Sequence, residues 1–485
     1  MITRIEIDGF KTFRDFKLEL APLQIIVGPN GAGKSNLFDA LFLLSHLADA
    51  DLREAFQKLR GEAGELFTIR PDGQRAERMC LAVEMLVEPQ IQDSWGAQAD
   101  LRYTRLRYEL AIARRADTHG LDRLYVEHES LTPIPRGDDR WIHRHALTGQ
   151  EHWLPPLTGG RPPFISTGRE HDAPTVYLHQ DGRGGRKSSV AARMERTVLS
   201  GVANTEFPHA LAARDEMRSW RLLQLNPEVL REPSPLVGSQ VMQPDGKYLA
   251  GALARLQASD PLLLADISRD LANLVPGLLK VEVEMDRARD QYVVWTRTQD
   301  GRRFSSRVLS DGTLRMLALV TLKNDPEHRG VLCFEEPENG VHPFRLKNFA
   351  HLLTELATDS NEPDEQQEPL RQFLCNTHSP VFIRQPAILP HVLFAHTALR
   401  TDPAAPGQPE RVTRIVPVRS RSKQLSLDLE ITPEELSYSL GEVMSYLESA
   451  DLGEARNLLT RHAGLCRRPH RRFGPPKLLP GVKIQ

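Results

Sequence analysis

The stretch Leu23–Leu47, LQIIVGPNGAGKSNLFDALFLLSHL, constrains this chain more than any other. An apolar run, Leu23 to Val27, enters Gly28-Pro29-Asn30-Gly31-Ala32-Gly33-Lys34-Ser35, and a helical apolar pattern follows from Asn36. That is G-x-x-x-x-G-K-S set between a strand and a helix. Asn30, Gly31 and Gly33 line a loop whose backbone N–H groups can close around phosphate oxygens, and the positive end of the new helix adds to the field. Lys34 is placed to reach the β- and γ-phosphates, and the Ser35 hydroxyl to ligate Mg²⁺. The plain alternative is a Gly-rich turn. The flanking strand and helix favour nucleotide binding, with ATP and Mg²⁺ as the expected cofactors.

Net charge matters for what such a site could serve. The 485 residues carry a formal charge of −2, so no global field drives the chain toward DNA or an anionic membrane. Any contact with nucleic acid has to be local. One candidate is the end of the chain, where Arg456–Gln485 holds eight Lys/Arg and no acidic residue. Cys80, Cys333, Cys375 and Cys466 are scattered without a C-x-x-C pair, which suits a reducing cytoplasm. Apolar runs fall short of the ~18 residues a membrane span needs. A cytoplasmic location without membrane contact is expected.

Residues 2–8 and 14–20 read as strands joined by Gly9-Phe10-Lys11-Thr12-Phe13, and strand patterns return between Cys80 and Arg114 and at Leu124–Ser130. From Leu131 to Ser189 the composition shifts to Gly, Pro, Arg and His, which predicts a loop-rich insertion. Its His143-x-His145 pair lacks Cys or carboxylate partners at metal-site spacing, so solvated histidines are expected. Gly182-Arg-Gly-Gly-Arg-Lys187 could touch phosphate, but a mobile loop is the favoured reading. Helices are expected at Pro208–Leu225, Lys247–Gln257 and Pro261–Leu274, and strands at Leu279–Met285 and Gln291–Thr298. An acidic loop spans Asp359–Glu368, and an amphipathic helical pattern lies near Thr432–Leu459. No heptad pattern long enough for a coiled-coil arm occurs. Four regions follow: a lobe with the Gly-rich loop (1–130), an insertion and helical region (131–275), a second lobe (276–420) and a helical, basic extension (421–485).

Two short apolar runs end in groups suited to phosphoryl transfer. Val331-Leu-Cys-Phe334 ends in Glu335 and Glu336. Hydrolysis needs Mg²⁺ held near the β- and γ-oxygens and a group that orients the attacking water. Glu335 at the strand tip suits the first task through the metal's water shell, and Glu336 the second. Phe373-Leu-Cys-Asn376 ends in Thr377-His378-Ser379, where His378 can donate to a γ-phosphate oxygen. Ser310-Asp311-Gly312 precedes the helical pattern Thr313–Leu322. There a hydroxyl, a Gly N–H and a helix start form a second anion site, or Ser310 or Asp311 simply caps the helix.

The order Gly28–Ser35, LSDGT at 309–313, FEEPE at 334–338 and THSP at 377–380 resembles the ABC-type ATPase heads of the SMC, RecF and OLD-like proteins, in the compact subgroup without a coiled-coil arm. The resemblance covers the first ~50 residues and roughly Leu279–Pro390. It implies an α/β P-loop NTPase fold with a mixed sheet, an inserted loop-rich and helical region, and a C-terminal extension. It also implies two copies paired head to tail with ATP between them. Gly28–Ser35 of one copy would bind nucleotide, and Ser310 and Gly312 of the other would cap its γ-phosphate. Glu335 would take the magnesium position with Ser35, Glu336 would polarise water, and His378 would be the switch histidine. Asn339 to His342 would cross between copies, Gln180 is the candidate for the glutamine loop, and Lys11 lies near the nucleotide. Glu335 stands where many ABC proteins have Asp.

After Pro390 no acidic cluster stands in a βα frame, so the nuclease domain that follows the OLD-type head is expected to be missing. The leading expectation is therefore an ATP-hydrolysing switch that controls a nucleic-acid-directed activity, in anti-phage defence or DNA repair, with a separately encoded nuclease or toxin as effector. The alternative is a nucleotide-gated scaffold that holds a partner, with hydrolysis incidental. DNA binding through the basic tail is a third reading, set against a disordered, solvated end as the default.

Overall fold

The computed structural model describes residues 1–70, 72–116, 122–145, 153–155, 162–170, 173–180, 186–190, 194–359, 369–401, 409–419 and 438–448. Two compact units emerge. The first comprises Met1–Trp220, Asn376–Ile383 and Pro390–Gln485, and the second Arg221–Cys375 and Arg384–Leu389.

The first unit is built on an eight-stranded antiparallel sheet. Its order is Arg186–Val190, Ala173–His179, Ile165–Glu170, Asp122–Pro133, Arg105–Ala116, Arg78–Leu86, Ile2–Asp8 and Phe16–Glu19. Strand alternation turns Ile5 and Ile7 inward and Glu6 and Asp8 outward. The registers align Leu18, Ile5, Val83, Tyr108, Leu131, Ile165 and Leu178 in one cross-strand row. Every member of that row is buried.

The row corrects the reading of Leu131–Ser189 as loop-rich. Within that span, Ile165–Glu170, Ala173–His179 and Arg186–Val190 are strands. Their local composition hides them because their pairing comes from the sheet, which Ile165 and Leu178 extend. The run Gly182–Gly185 lies outside the described residues.

A smaller mixed arrangement carries the Gly-rich loop. Leu23–Val27, buried throughout, pairs in parallel with Val392–Thr401, aligning Ile25 with Val392 and Val27 with Phe394. Val392–Thr401 pairs antiparallel with Pro409–Arg419, which meets Tyr438–Ser439 in parallel. The helix Lys34–Leu47 follows the loop, with Leu37, Phe38, Leu41, Leu43 and Leu44 fully buried.

In the second unit, Arg221–Leu223 pairs in parallel with Gly330–Glu335. The expected helix Pro208–Leu225 thus ends at Arg218, because Arg221–Leu223 finds a strand partner more than a hundred residues away. Helices Leu249–Ser259 and Pro261–Leu274 and strands Leu278–Asp286 and Gln291–Thr298 occur where the sequence placed them. Asp260 caps the second of these helices through the Leu262 N–H, with Pro261 at the first helical position. The helices Asp311–Lys323 and Leu346–Thr354 also belong to this unit. Of the pattern at Thr432–Leu459, the described part is the helix Leu440–Glu448, and the basic tail lies outside the described residues.

Candidate functional site

The Gly-rich loop is shaped by what its glycines touch. A Cβ on Gly28 would lie 2.3 Å from the Ala395 carbonyl oxygen, and one on Gly33 would lie 2.1 Å from Thr413 Oγ1. Gly31 faces open space and is required by its φ of 79°. The loop therefore rests against two strands from the far end of the chain, while its tip, Asn30 and Gly31, stays exposed. Gly33 caps the Lys34–Leu47 helix in the left-handed region with no side-chain bond to the first turn. That leaves a helix start of the kind that binds anions.

Lys34, 9% exposed, donates from Nζ to the carbonyls of Gly28 (2.7 Å) and Pro29 (2.9 Å). Its ammonium is held over the loop it would serve. The Gly9–Phe13 segment grips the same helix. Lys11 adopts φ 45° and donates to the buried Asp39 at 2.5 Å. Thr12 Oγ1 accepts from Asn36 Nδ2 at 2.9 Å and meets Thr413 Oγ1 at 2.7 Å. The sequence reading placed Lys11 near the nucleotide but missed Thr12, Asn36, Asp39 and Thr413. Asn36 and Asp39 sit one and four residues past Ser35 and could have been flagged as polar positions on the helix. Thr413 gives no local signal.

The tip of the Gly330–Glu335 strand is the second locus. Burial runs through Phe334 and relaxes at Glu335. Burial pushes the Cys333 thiol upward, with Glu335 adding to it. Glu336 then takes φ 49°, a left-handed conformation that a non-glycine residue holds at a cost of order 1–3 kcal/mol. Asn339 stabilises it, its Nδ2 donating to Glu336 Oε2 at 2.6 Å and its N–H to the Glu336 carbonyl at 3.1 Å.

Ser310 is the N-cap of Asp311–Lys323, accepting from the Thr313 N–H at 3.2 Å. The capping alternative is therefore realised at this serine. Gly312 lies where a Cβ would come within 2.6 Å of the Gly340 carbonyl oxygen, and Arg315 Nη1 reaches the Asn339 carbonyl at 3.4 Å. The start of this helix and the loop after Glu336 are thus packed together within the second unit.

Asn30, Gly31, Gly33, Lys34, Ser35 and His378 belong to the first unit, and Ser310, Gly312, Glu335 and Glu336 to the second. His378 is exposed just past the strand Arg371–Thr377. Gln180 hydrogen-bonds Glu206. His143 is exposed, as expected of a solvated residue, whereas His145 is partly covered and stacked on Trp141 at 4.5 Å. Among the described residues no group of three or more His, Cys, Asp or Glu is arranged to hold a metal. Ser35 and Glu335 offer the hard oxygen donors that Mg²⁺ prefers. That ion usually takes one or two protein ligands beside phosphate and water, and Gly31 leaves open space at the tip of the loop.

The fold and loop define an α/β P-loop NTPase. Residues 182–384 match the family model for the AAA domain, putative AbiEii toxin, Type IV TA system, and residues 1–60 match that for the RecF/RecN/SMC N terminal domain. The chain is 31% identical over 132 residues to the chromosome partition protein Smc of Bordetella petrii, a match covering 27% of this chain and 10% of that protein. Distant structural likenesses include the SMC head domain from Thermotoga maritima, 15% identical with TM-score 0.35, covering 86% of this chain and 99% of that one. The SmcHead bound to the C-winged helix domain of ScpA is 14% identical with TM-score 0.42, covering 87% and 99%. The chain is thus similar to the RecF/RecN/SMC N terminal domain over its first 60 residues and to the AAA domain family over residues 182–384. No helix among the described residues is long and apolar enough to cross a membrane.

Proposed function

We propose that this chain is an ATP-binding and ATP-hydrolysing switch whose copies pair head to tail on ATP and control a nucleic-acid-directed activity. The observation that carries the reading is the loop Gly28–Ser35, where a helix start lacks a side-chain cap, Lys34 Nζ is held on the loop carbonyls and the tip at Asn30 and Gly31 is exposed. In this reading Lys34 leaves the carbonyls of Gly28 and Pro29 for the β- and γ-phosphates. Glu336, held in place by Asn339, accepts a proton from the attacking water, and His378 donates to a γ-phosphate oxygen. Ser310 and Gly312 of the second copy complete the anion site. Ser35 and Glu335 would hold Mg²⁺, which neutralises charge developing on the phosphates.

A Glu336→Gln chain should bind ATP as the natural one does and hydrolyse it ~10²–10⁴-fold more slowly, the span typical of a lost general base. Phosphate release at the natural rate would remove Glu336 from the mechanism. The name of the toxin family model supports a role in defence with a nuclease or toxin effector, and the Smc relative supports chromosome maintenance or repair. Co-purification with the product of the adjacent gene separates the two.

A nucleotide-gated scaffold is the second reading, favoured by Trp95. This side chain is 73% exposed on a turn where Asp93 accepts from the N–H groups of Trp95 and Ala97 and from Thr205. An ordered tip that displays a tryptophan suits partner capture. Equal partner binding in the nucleotide-free, ATP and ADP states would exclude gating. We retain the division at residues 130, 275 and 420 as a proposal, tested by where limited proteolysis cuts first, and the cytoplasm as the proposed location.

A further inference from the structure

Within the second unit, Leu278–Asp286, Gln291–Thr298 and Arg303–Ser305 form an antiparallel ribbon. Its registers set Lys280 opposite Arg297 and Arg297 opposite Arg303, so three cations stand side by side across three strands. Like charges directly opposite one another destabilise a sheet. The compensation here is thin. Glu282 serves all three, at 3.5 Å from Lys280, 3.2 Å from Arg297 and 3.2 Å from Arg303, and Glu284 adds a contact of 3.0 Å to Arg303.

The neighbouring position on the middle strand is Trp295, opposite Ser305. The Arg303 guanidinium lies over its ring at 4.3 Å. A guanidinium stacked on an indole offers its outer face to another flat group. The side chains of Lys280, Arg297 and Arg303 are 59%, 46% and 37% exposed, so phosphates can reach all three. A cation row beside a stacking platform is the arrangement by which proteins hold unpaired nucleotides, with phosphates on the charges and a base on the stack.

We propose that this ribbon binds single-stranded nucleic acid. Phosphates lie along Lys280, Arg297 and Arg303, and a base stacks on the Arg303–Trp295 pair. The inference sharpens the nucleic-acid part of the proposed function and rests on that reading only for its biological purpose.

The test uses the full chain without ATP, so that failure of the ATPase reading leaves it untouched. Binding of a fluorescein-labelled 20-nucleotide oligo-dT is followed by anisotropy from 50 to 200 mM NaCl. The expected affinity falls with salt, with a log–log slope of about −2 for three phosphate contacts. Arg297→Gln and Lys280→Gln should each weaken binding several-fold and reduce the slope by about 0.7. Trp295→Ala should weaken binding with the slope unchanged. A chain lacking residues 456–485 should bind as the full one does. Thermal melts check that each variant is folded, and Lys280→Gln, the most exposed position, serves if the arginine variant is not. No binding at 50 mM NaCl, unaltered affinity in both cation variants, loss only on removing the tail, or equal competition by poly-glutamate would each overturn the proposal. Tighter binding of a duplex of the same length would do so as well.

Discussion

Gly33 and Gly31 are both glycines with positive φ, yet they answer to different constraints. Gly33 is pressed against Thr413, whereas Gly31 has only its backbone angle to satisfy. Gly33→Ala should therefore weaken ATP binding by at least tenfold more than Gly31→Ala in titration calorimetry. Adding Thr413→Ala should recover part of the loss at Gly33 and none at Gly31. Glu129 makes a second prediction. It is fully buried, and burial pushes its carboxyl up to about 7 even though the N–H groups of Leu199 and Val198 and the Tyr108 hydroxyl donate to it. A carboxyl whose folded pKa exceeds its unfolded value binds its proton more tightly when folded. Stability should thus fall as pH rises from about 4.5 to about 7, by on the order of 1–3 kcal/mol, and level off above. Melting temperatures from pH 5 to 8.5 read this slope, and Glu129→Gln should flatten it. Motif spacing singles out Glu336, Lys34 and Ser310 as candidates, whereas Thr413 and Glu129 act through partners that no local pattern announces.

At the scale of elements, the strands and helices most easily read were those whose periodicity matched their burial. Pro261–Leu274 is one, with Leu264, Ile267, Leu271 and Leu274 on its buried side. Those missed owe their form to pairing. Ala173–His179 and Ile165–Glu170 are held by the sheet they extend, and Arg221–Leu223 by Gly330–Glu335. The helix Asp311–Lys323 can be tested for two roles at one residue. If Ser310 only caps it, Ser310→Ala should cost about 1 kcal/mol of stability and leave ATP-dependent pairing intact. The proposed function predicts that the same variant also loses ATP-induced pairing in light scattering. Ser310→Thr, which keeps a hydroxyl, should recover both.

For the whole molecule, the proposal predicts activity that depends on encounter. If Ser310 and Gly312 must come from a second copy, the ATPase rate per chain should rise with protein concentration and level off once pairing is complete. A mixture of Lys34→Ala and Ser310→Ala chains should regain activity, since one composite site in each mixed pair has both intact parts. A rate per chain independent of concentration over a hundredfold range, with no recovery in the mixture, would mean that a single copy suffices. The composition had already shown that no net charge would do the work of nucleic-acid recognition, and the local cation row on the Leu278–Ser305 ribbon is consistent with that.

The hydroxyl contact between Thr12 and Thr413 joins residues 401 positions apart. At the ~5–20 residues per second of protein synthesis, the first of these threonines waits roughly 20–80 s for the second. The strand Leu23–Val27, apolar along its length apart from Gln24, waits nearly as long for Val392–Thr401 to lie beside it. The nucleotide loop therefore leaves the ribosome well before the strands that support it. In the interval a chaperone is the natural companion of this strand, and a pause or truncation late in the message would release a chain with its phosphate loop unsupported.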